Sequence, residues 1–238
     1  MTSEHGTTIA VLAALVLTGS CSDGGTGPSN TPPFDPANFV TGVTNPFFPL
    51  TPGRIQYYQG QSSGTAQADS VEVLSQTKTI LGVTATVVHD KVYTSGSLTE
   101  DTFDWYAQDK DGNVWYLGED TKELDHGQVV STEGSWEAGV NGAQAGIIMW
   151  ADPAAHIGQE YRQEFASGVA EDLAKVVAVN QDVTVPFGSL TGCVKTEDRS
   201  ALEPGVLENK YYCPSLGITR EAGVQGSTDT NELVEVVP

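Results

Sequence analysis

Short runs in which apolar and polar side chains alternate recur from residue 54 to residue 237, separated by Gly, Asp and Asn clusters. A period of two with Val, Thr, Tyr and Trp enrichment predicts antiparallel strands, placed near 54–60, 69–80, 83–94, 98–108, 113–120, 127–132, 159–166, 174–185, 189–198, 206–213, 216–221 and 231–237. Helical periodicity is sparse, although Glu171-Asp172-Leu173-Ala174-Lys175-Val176 also fits one helical turn. At Asp109-Lys110-Asp111-Gly112-Asn113 a three-residue loop with Gly112 at the bulge sets a hairpin register. Tyr106 then faces Tyr116, and Phe103, Trp105, Ala107, Trp115 and Leu117 share the face expected to be core. Leu124-Asp125-His126-Gly127-Gln128 predicts a second tight hairpin, and successive hairpins make a meander. Between 134 and 158 neither period survives, which predicts an irregular loop whose Ile147, Ile148, Met149 and Trp150 plug an open side of the sheet; a lid or pocket wall is the alternative. The expected fold is all-β, one domain built on a single curved antiparallel sheet, a meander forming an open or partly closed barrel with an irregular loop covering one side.

The amino-terminal end departs from this pattern. Residues 9–17 form an unbroken apolar run followed by Thr18, Gly19, Ser20 and Cys21. The run is shorter than the roughly 20 residues that span a bilayer and has the length of a signal-peptide core before a small-residue cleavage site. It resembles a bacterial lipoprotein signal, which implies cleavage before Cys21 and lipidation of that residue, with more than one acyl chain, palmitate among them, for stable anchoring. Thr18 stands where Leu is usual and residues 1–8 hold no Lys or Arg, so a non-lipidated secretory leader is the alternative. Residues 1–20 are thus read as signal peptide, 21–38 as a Gly/Pro/Ser tether reaching on the order of 20 Å, and 39–238 as the β domain. The expected location is the extracytoplasmic side of the bacterial cell envelope.

Charge narrows the partners. The sequence holds 31 acidic and 11 basic residues, a formal charge of −20. Such a surface repels phosphate backbones and offers no basic stripe, which argues against nucleic acid. Anionic membrane surfaces are disfavoured as well, so membrane attachment is expected through the lipid alone. A monomer is expected, with a small ligand that the sequence does not identify.

With Cys21 assigned to lipid, Cys193 and Cys213 remain. They lie on successive predicted strands, equidistant from Glu203, so a symmetric hairpin sets them opposite each other within disulfide range. The hairpin register also gathers Glu100, Asp104 and Asp120 on one face with Thr102, a set of oxygens suited to calcium, with Lys122 expected opposite Glu100. Tyr106 and Tyr116 share that face and could stack on a sugar or a cationic ligand. As charged strand residues the carboxylates are expected to be solvated, and the tyrosine pair also stabilises a sheet by itself. His89, His126 and His156 show no partner in sequence, and no nucleophile elbow, phosphate-cradling loop or His-Glu-x-x-His helix is present. No catalytic residue is assigned and no cofactor is expected apart from calcium.

Three stretches carry a family resemblance: Phe103-Asp104-Trp105-Tyr106-Ala107-Gln108-Asp109 with Gly112-Asn113-Val114-Trp115-Tyr116; Val185-Pro186-Phe187-Gly188 running to Cys193; and Lys210-Tyr211-Tyr212-Cys213-Pro214 with Gly217. They resemble a set of uncharacterised bacterial secreted proteins and lipoproteins with an antiparallel β-sheet domain, over most of residues 45–222. That set tends to read Tyr-Tyr-Ala-Pro-Gly-Val-Gly where this chain has Cys213, Ser215 and Leu216. A more distant likeness, at the level of fold only, is to the open β-barrels of periplasmic lipoprotein carriers. The function expected is a non-catalytic binding or envelope role. The alternatives are a carrier of lipid or hydrophobic ligand, a calcium- or carbohydrate-binding module, and a hydrolase with a dispersed site.

Overall fold

Alternating sequence becomes wall. The computed structural model describes residues 31–238, and the expected signal peptide, Cys21 and the first part of the expected tether lie outside the described residues. In chain order the strands are β1 (Phe39–Val40), β2 (Ile55–Ser62), β3 (Thr65–Ile80), β4 (Val83–Thr94), β5 (Ser97–Asp109), β6 (Val114–Asp125), β7 (Gln128–Ser131), β8 (Trp136–Glu137), β9 (Gln144–Met149), β10 (Glu160–Arg162), β11 (Glu164–Phe165), β12 (Asp172–Val185), β13 (Gly188–Ser200), β14 (Leu207–Cys213), β15 (Gly217–Gln225) and β16 (Thr230–Val237). Only two short 3₁₀ turns interrupt them, Pro36–Asn38 and Pro153–His156. Residues 172–176, ambiguous in sequence, are strand.

All pairings are antiparallel, in the order β10-β12-β13-β14-β15-β16-β2-β3-β4-β5-β6-β9-β11. Two meanders, β2 to β9 and β12 to β16, are joined where β16 pairs with β2. Their other edges meet at a seam, because β10 pairs with β12 while β11, one residue further along the chain, pairs with β9. The sheet therefore nearly closes into a barrel, which leaves few unpaired strand edges. Contrary to the sequence expectation, the 134–158 segment is not wholly irregular: β8 and β9 both pair with β6.

At the seam the backbones press together. A Cβ on Gly146 would lie 2.5 Å from the carbonyl oxygens of both Arg162 and Gln163, a separation that only glycine permits.

Residues 43–54 close one end of the barrel. Asn45 donates to the carbonyls of Gly112 and Trp150, Gln108 Oε1 accepts from the backbone N–H groups of Thr44 and Asn45, and Ser215 N–H donates to Pro46 O. Phe48 enters this floor, with its ring centroid 5.1 Å from that of Tyr106 and 6.3 Å from that of Tyr212. Phe34, assigned to the tether by sequence, packs on Phe39 and Trp115.

The main apolar core lies on the outer side of β4 to β6. Trp105, Ala107, Trp115 and Leu117 are buried as the hairpin register predicts, and Phe103 is half-buried. They pack with Ile80, Ala138, Ile147 and the N-terminal aromatics. Lys78 fastens the 134–143 segment by an ion pair of 2.7 Å to Glu137, with its ammonium 3.1 Å from the Trp105 ring centroid. A smaller core forms around the Cys193–Cys213 disulfide with Val183, Val185 and Leu233. The register Lys195↔Tyr211 and Asp198↔Glu208 is symmetric about Glu203, as the spacing predicted.

Substituting Gly146→Ala should therefore strain the seam by roughly 2 kcal/mol, lowering Tm by about 4–8 °C. Thermal unfolding followed by circular dichroism checks this, and an unchanged midpoint would show that the seam does not support the barrel.

Candidate functional site

The barrel encloses a cavity of about 840 Å³. Inward-pointing positions of every major strand line it: Tyr58 from β2, Asp69 from β3, Asp90 from β4, Asp104 and Tyr106 from β5, and Tyr116 and Glu119 from β6. Across the chamber stand Asp172, Asp198, Lys210, Tyr212 and Glu221, and Glu164 comes from the seam. Ser63, Ser200, Glu203 and the 226–229 turn line its mouth, opposite the floor formed by Phe48, Pro49 and Leu50. Eleven acidic side chains line the chamber against two basic ones, Arg199 and Lys210. Arg199 is engaged by Glu160, at 2.7 Å. Lys210 is 3.2 Å from Glu221 and 3.9 Å from Asp198.

The acidic residues are held in a repeated way. Hydroxyl and amide groups take one oxygen of a carboxylate and leave the other without a hydrogen bond. Thr121 donates to Glu119 Oε2 at 2.9 Å while Glu119 Oε1 has no hydrogen bond. Asn231 donates to Asp69 Oδ2, Thr196 donates to Asp198 Oδ1, and the second oxygen of each aspartate lacks a hydrogen bond. Tyr116 donates to Asp104 Oδ1 at 2.6 Å, and its ring stacks on Tyr106 with centroids 4.8 Å apart. Trp136 reaches through the wall to donate to Glu164 Oε2 at 2.8 Å. Glu119 is 4% exposed and Asp104 9% exposed, so these acceptors are fixed and nearly dry.

Desolvation dominates the electrostatics. Burial pushes Asp104 and Asp198 up to about 6, Asp69 and Glu208 to about 7, and Glu100 to about 8. Burial, reinforced by neighbouring carboxylates, raises Asp90, Glu119 and Glu164 well above their ordinary range. For Lys210 burial acts to lower the value, but Glu221 and Asp198 outweigh it and hold the ammonium charged.

Of the sequence candidates, Glu100, Asp104, Tyr106 and Tyr116 share the inner face, but they are buried or half-buried there, and the two carboxylates are not solvated as expected. Asp120 is not with them. It lies outside, half-exposed and 3.0 Å from Lys122, while Glu119 takes the inner position. The cause is a bulge: Leu117 and Gly118 together oppose Trp105. Gly118 adopts φ +132°, and a Cβ there would lie 2.3 Å from Trp136 O, so the bulge needs glycine. The same shift sets Glu123, not Lys122, opposite Glu100. Calcium's proposed ligand set is thereby divided, and among the described residues no three His, Cys, Asp or Glu side chains gather to hold a metal ion.

The three described histidines lie away from the chamber lining. His89 pairs with Asp101 and stacks on Phe103, His126 sits in an exposed turn, and His156 stacks on Trp150 at 3.9 Å. Sequence reasoning missed Asp69, Asp90, Glu119, Glu164, Asp172, Asp198, Glu208 and Glu221. The available signal was acidic residues at inward-parity positions of successive strands, with few Lys or Arg to pair them.

No protein-family model matches the chain, and no curated protein does. Two solved structures are similar to it. One, from Bacteroides fragilis, is a protein inferred to be exported and has a YmcC-like fold; it is 14% identical, with a TM-score of 0.49, over 81% of this chain and 99% of that one. The other, an inferred lipoprotein from Parabacteroides distasonis, is 12% identical, with a TM-score of 0.42, over 80% of this chain and 98% of that one.

The buried carboxylates fix a pH dependence. An acid whose folded pKa lies above its unfolded value gains a proton on folding, so its stabilising contribution is complete below about pH 4 and is lost as pH rises through the folded value. Between about pH 5 and about pH 8 the ligand-free protein should lose about 5 °C or more of Tm. Asp104→Asn should reduce the slope, and a midpoint that stays level or rises over this interval would contradict the assignment.

Proposed function

We propose that this chain is an extracytoplasmic binding protein, tethered by lipid on Cys21, that takes a small polar ligand into its barrel without carrying out chemistry on it. The supporting observation is the enclosed chamber, whose wall presents fixed, buried carboxylate oxygens without partners, Glu119 Oε1 foremost. An unsatisfied buried acceptor costs on the order of 1–3 kcal/mol, and a ligand that donates to it recovers that cost. A pocket of this volume falls within the range that encloses small molecules, roughly 300–1,000 Å³.

This favours a polar ligand over the lipid-carrier alternative. An acyl chain would bury the carboxylates of the middle wall against hydrocarbon, without donors. A hydrolase of the serine–histidine kind would need a histidine base, and none of the described residues that line the chamber is a histidine. The binding reading accounts for the partnerless oxygens without further assumption.

Two experiments test this reading. Full-length protein purified without denaturation from bacterial membranes should carry a small co-purifying mass in native mass spectrometry, and Ser200→Trp, which blocks the mouth, should lose it while retaining its far-ultraviolet circular dichroism. Equal occupancy in both proteins, or none in either, contradicts the chamber as ligand site. Radiolabelled palmitate should enter the wild type and not Cys21→Ala; equal labelling would rule out lipidation at Cys21.

A further inference from the structure

We infer that the ligand is a linear aliphatic amine carrying two or more ammonium groups. This rests on the proposed binding role and names the chemical class that the chamber accepts.

Charge is the first argument. Lys210 alone among the lining cations faces the interior carboxylates, and it is already engaged by Glu221 and Asp198. Among the described residues, no Lys, Arg or His forms an ion pair with Asp69, Asp90, Asp104 or Glu119. A neutral sugar could hydrogen-bond to them but would bring no positive charge to favour their ionised form in a low-dielectric interior, as an ammonium group does. An anion is excluded by the sign of the wall.

Spacing decides between a metal and an organic cation. One small hard cation needs its oxygens gathered around a single point, whereas no metal-sized cluster exists among the described residues. Instead, Asp104 and Glu119 stand on β5 and β6, and Asp198 belongs to β13 across the barrel. Separated acceptors suit separated ammonium groups joined by a flexible chain, each donating up to three hydrogen bonds.

The floor supplies the complement to that chain. Phe48, Leu50, Tyr106, Tyr116 and Tyr212 give an aromatic and apolar surface below the carboxylates. Methylene segments can pack there while ammonium groups lie against ring faces and carboxylates together. Glu119 Oε1, in a side chain 4% exposed and without a hydrogen bond, is an acceptor awaiting such a donor.

Spermidine is the probe, with n-butylamine, glucose and calcium chloride as comparisons, titrated calorimetrically into the full-length detergent-solubilised protein. Spermidine should bind with a defined stoichiometry and at least about ten-fold more tightly than butylamine or calcium, since its further ammonium groups add charged hydrogen bonds that a single amine cannot make. Glu119→Gln and Asp104→Asn should each weaken it about ten-fold or more while raising the ligand-free Tm, so that the loss cannot be ascribed to unfolding. Asp120→Asn, on the outer surface, should leave affinity unchanged and so exclude diffuse attraction to an acidic protein. Tighter binding of calcium or glucose, or identical spermidine affinity in wild type and Glu119→Gln, overturns the inference. Failure of spermidine to bind, while the co-purifying mass is still lost in Ser200→Trp, rejects the polyamine and spares the chamber.

Discussion

Closure of the wall is the constraint on which the rest depends. In an open sheet the face carrying Asp90, Asp104 and Glu119 would be solvated, and its charges would need no explanation. When β10 joins β12 and β11 joins β9, that face becomes the inside of a chamber. The same carboxylates then lose much of their water and press on one another across the interior. Their raised pKa values, the single interior lysine and the hydroxyl groups that hold one oxygen of several acids all follow from that enclosure.

Layering on β4 to β6 is correspondingly inverted. The apolar side of these strands faces outward, where Trp105, Trp115 and Leu117 are covered by the N-terminal aromatics and by residues 134–149. Burial of side chains of this size contributes roughly 1.5–3 kcal/mol each, which offsets the cost of a polar interior. The segments without sequence periodicity are therefore structural. Phe48 at the floor and Trp136 through the wall also touch the chamber itself, one by its tilted ring contact with Tyr106 and the other by its bond to Glu164.

Local signals in the sequence were reliable. Period-two alternation located the long strands, the Asp109–Asn113 turn paired Tyr106 with Tyr116, and symmetry about Glu203 paired Cys193 with Cys213. What failed depended on information beyond the hairpin. Asp120 was exchanged for Glu119 because a bulge at Gly118 depends on contact with Trp136, eighteen positions away. The polar face was read as solvated because alternation says which side chains share a face, not what that face meets. β9 escaped notice because its Ile147 and Met149 side are both part of an unbroken apolar stretch, where no period is visible. The acidic chamber needs the closed topology before it can be seen at all.

A chamber built this way sets stability against readiness to bind. Asp198 and Glu221 compensate the buried Lys210, but Asp104 and Glu119 face no cation among the described residues and gain nothing from their charge in the empty barrel, so folding alone does not account for them. Natural proteins commonly hold destabilising groups where function uses them. Here the neighbouring Thr121, Thr196 and Asn231 fix Glu119, Asp198 and Asp69 through one oxygen each. Orientation is thereby settled before any ligand arrives, and the remaining oxygen stays available. At neutral pH those acids can be satisfied by protons or by bound cations, and the two compete for the same lone pairs. A cation that enters must displace protons from groups titrating near neutrality, so its affinity rises with pH over the interval in which the empty barrel loses stability.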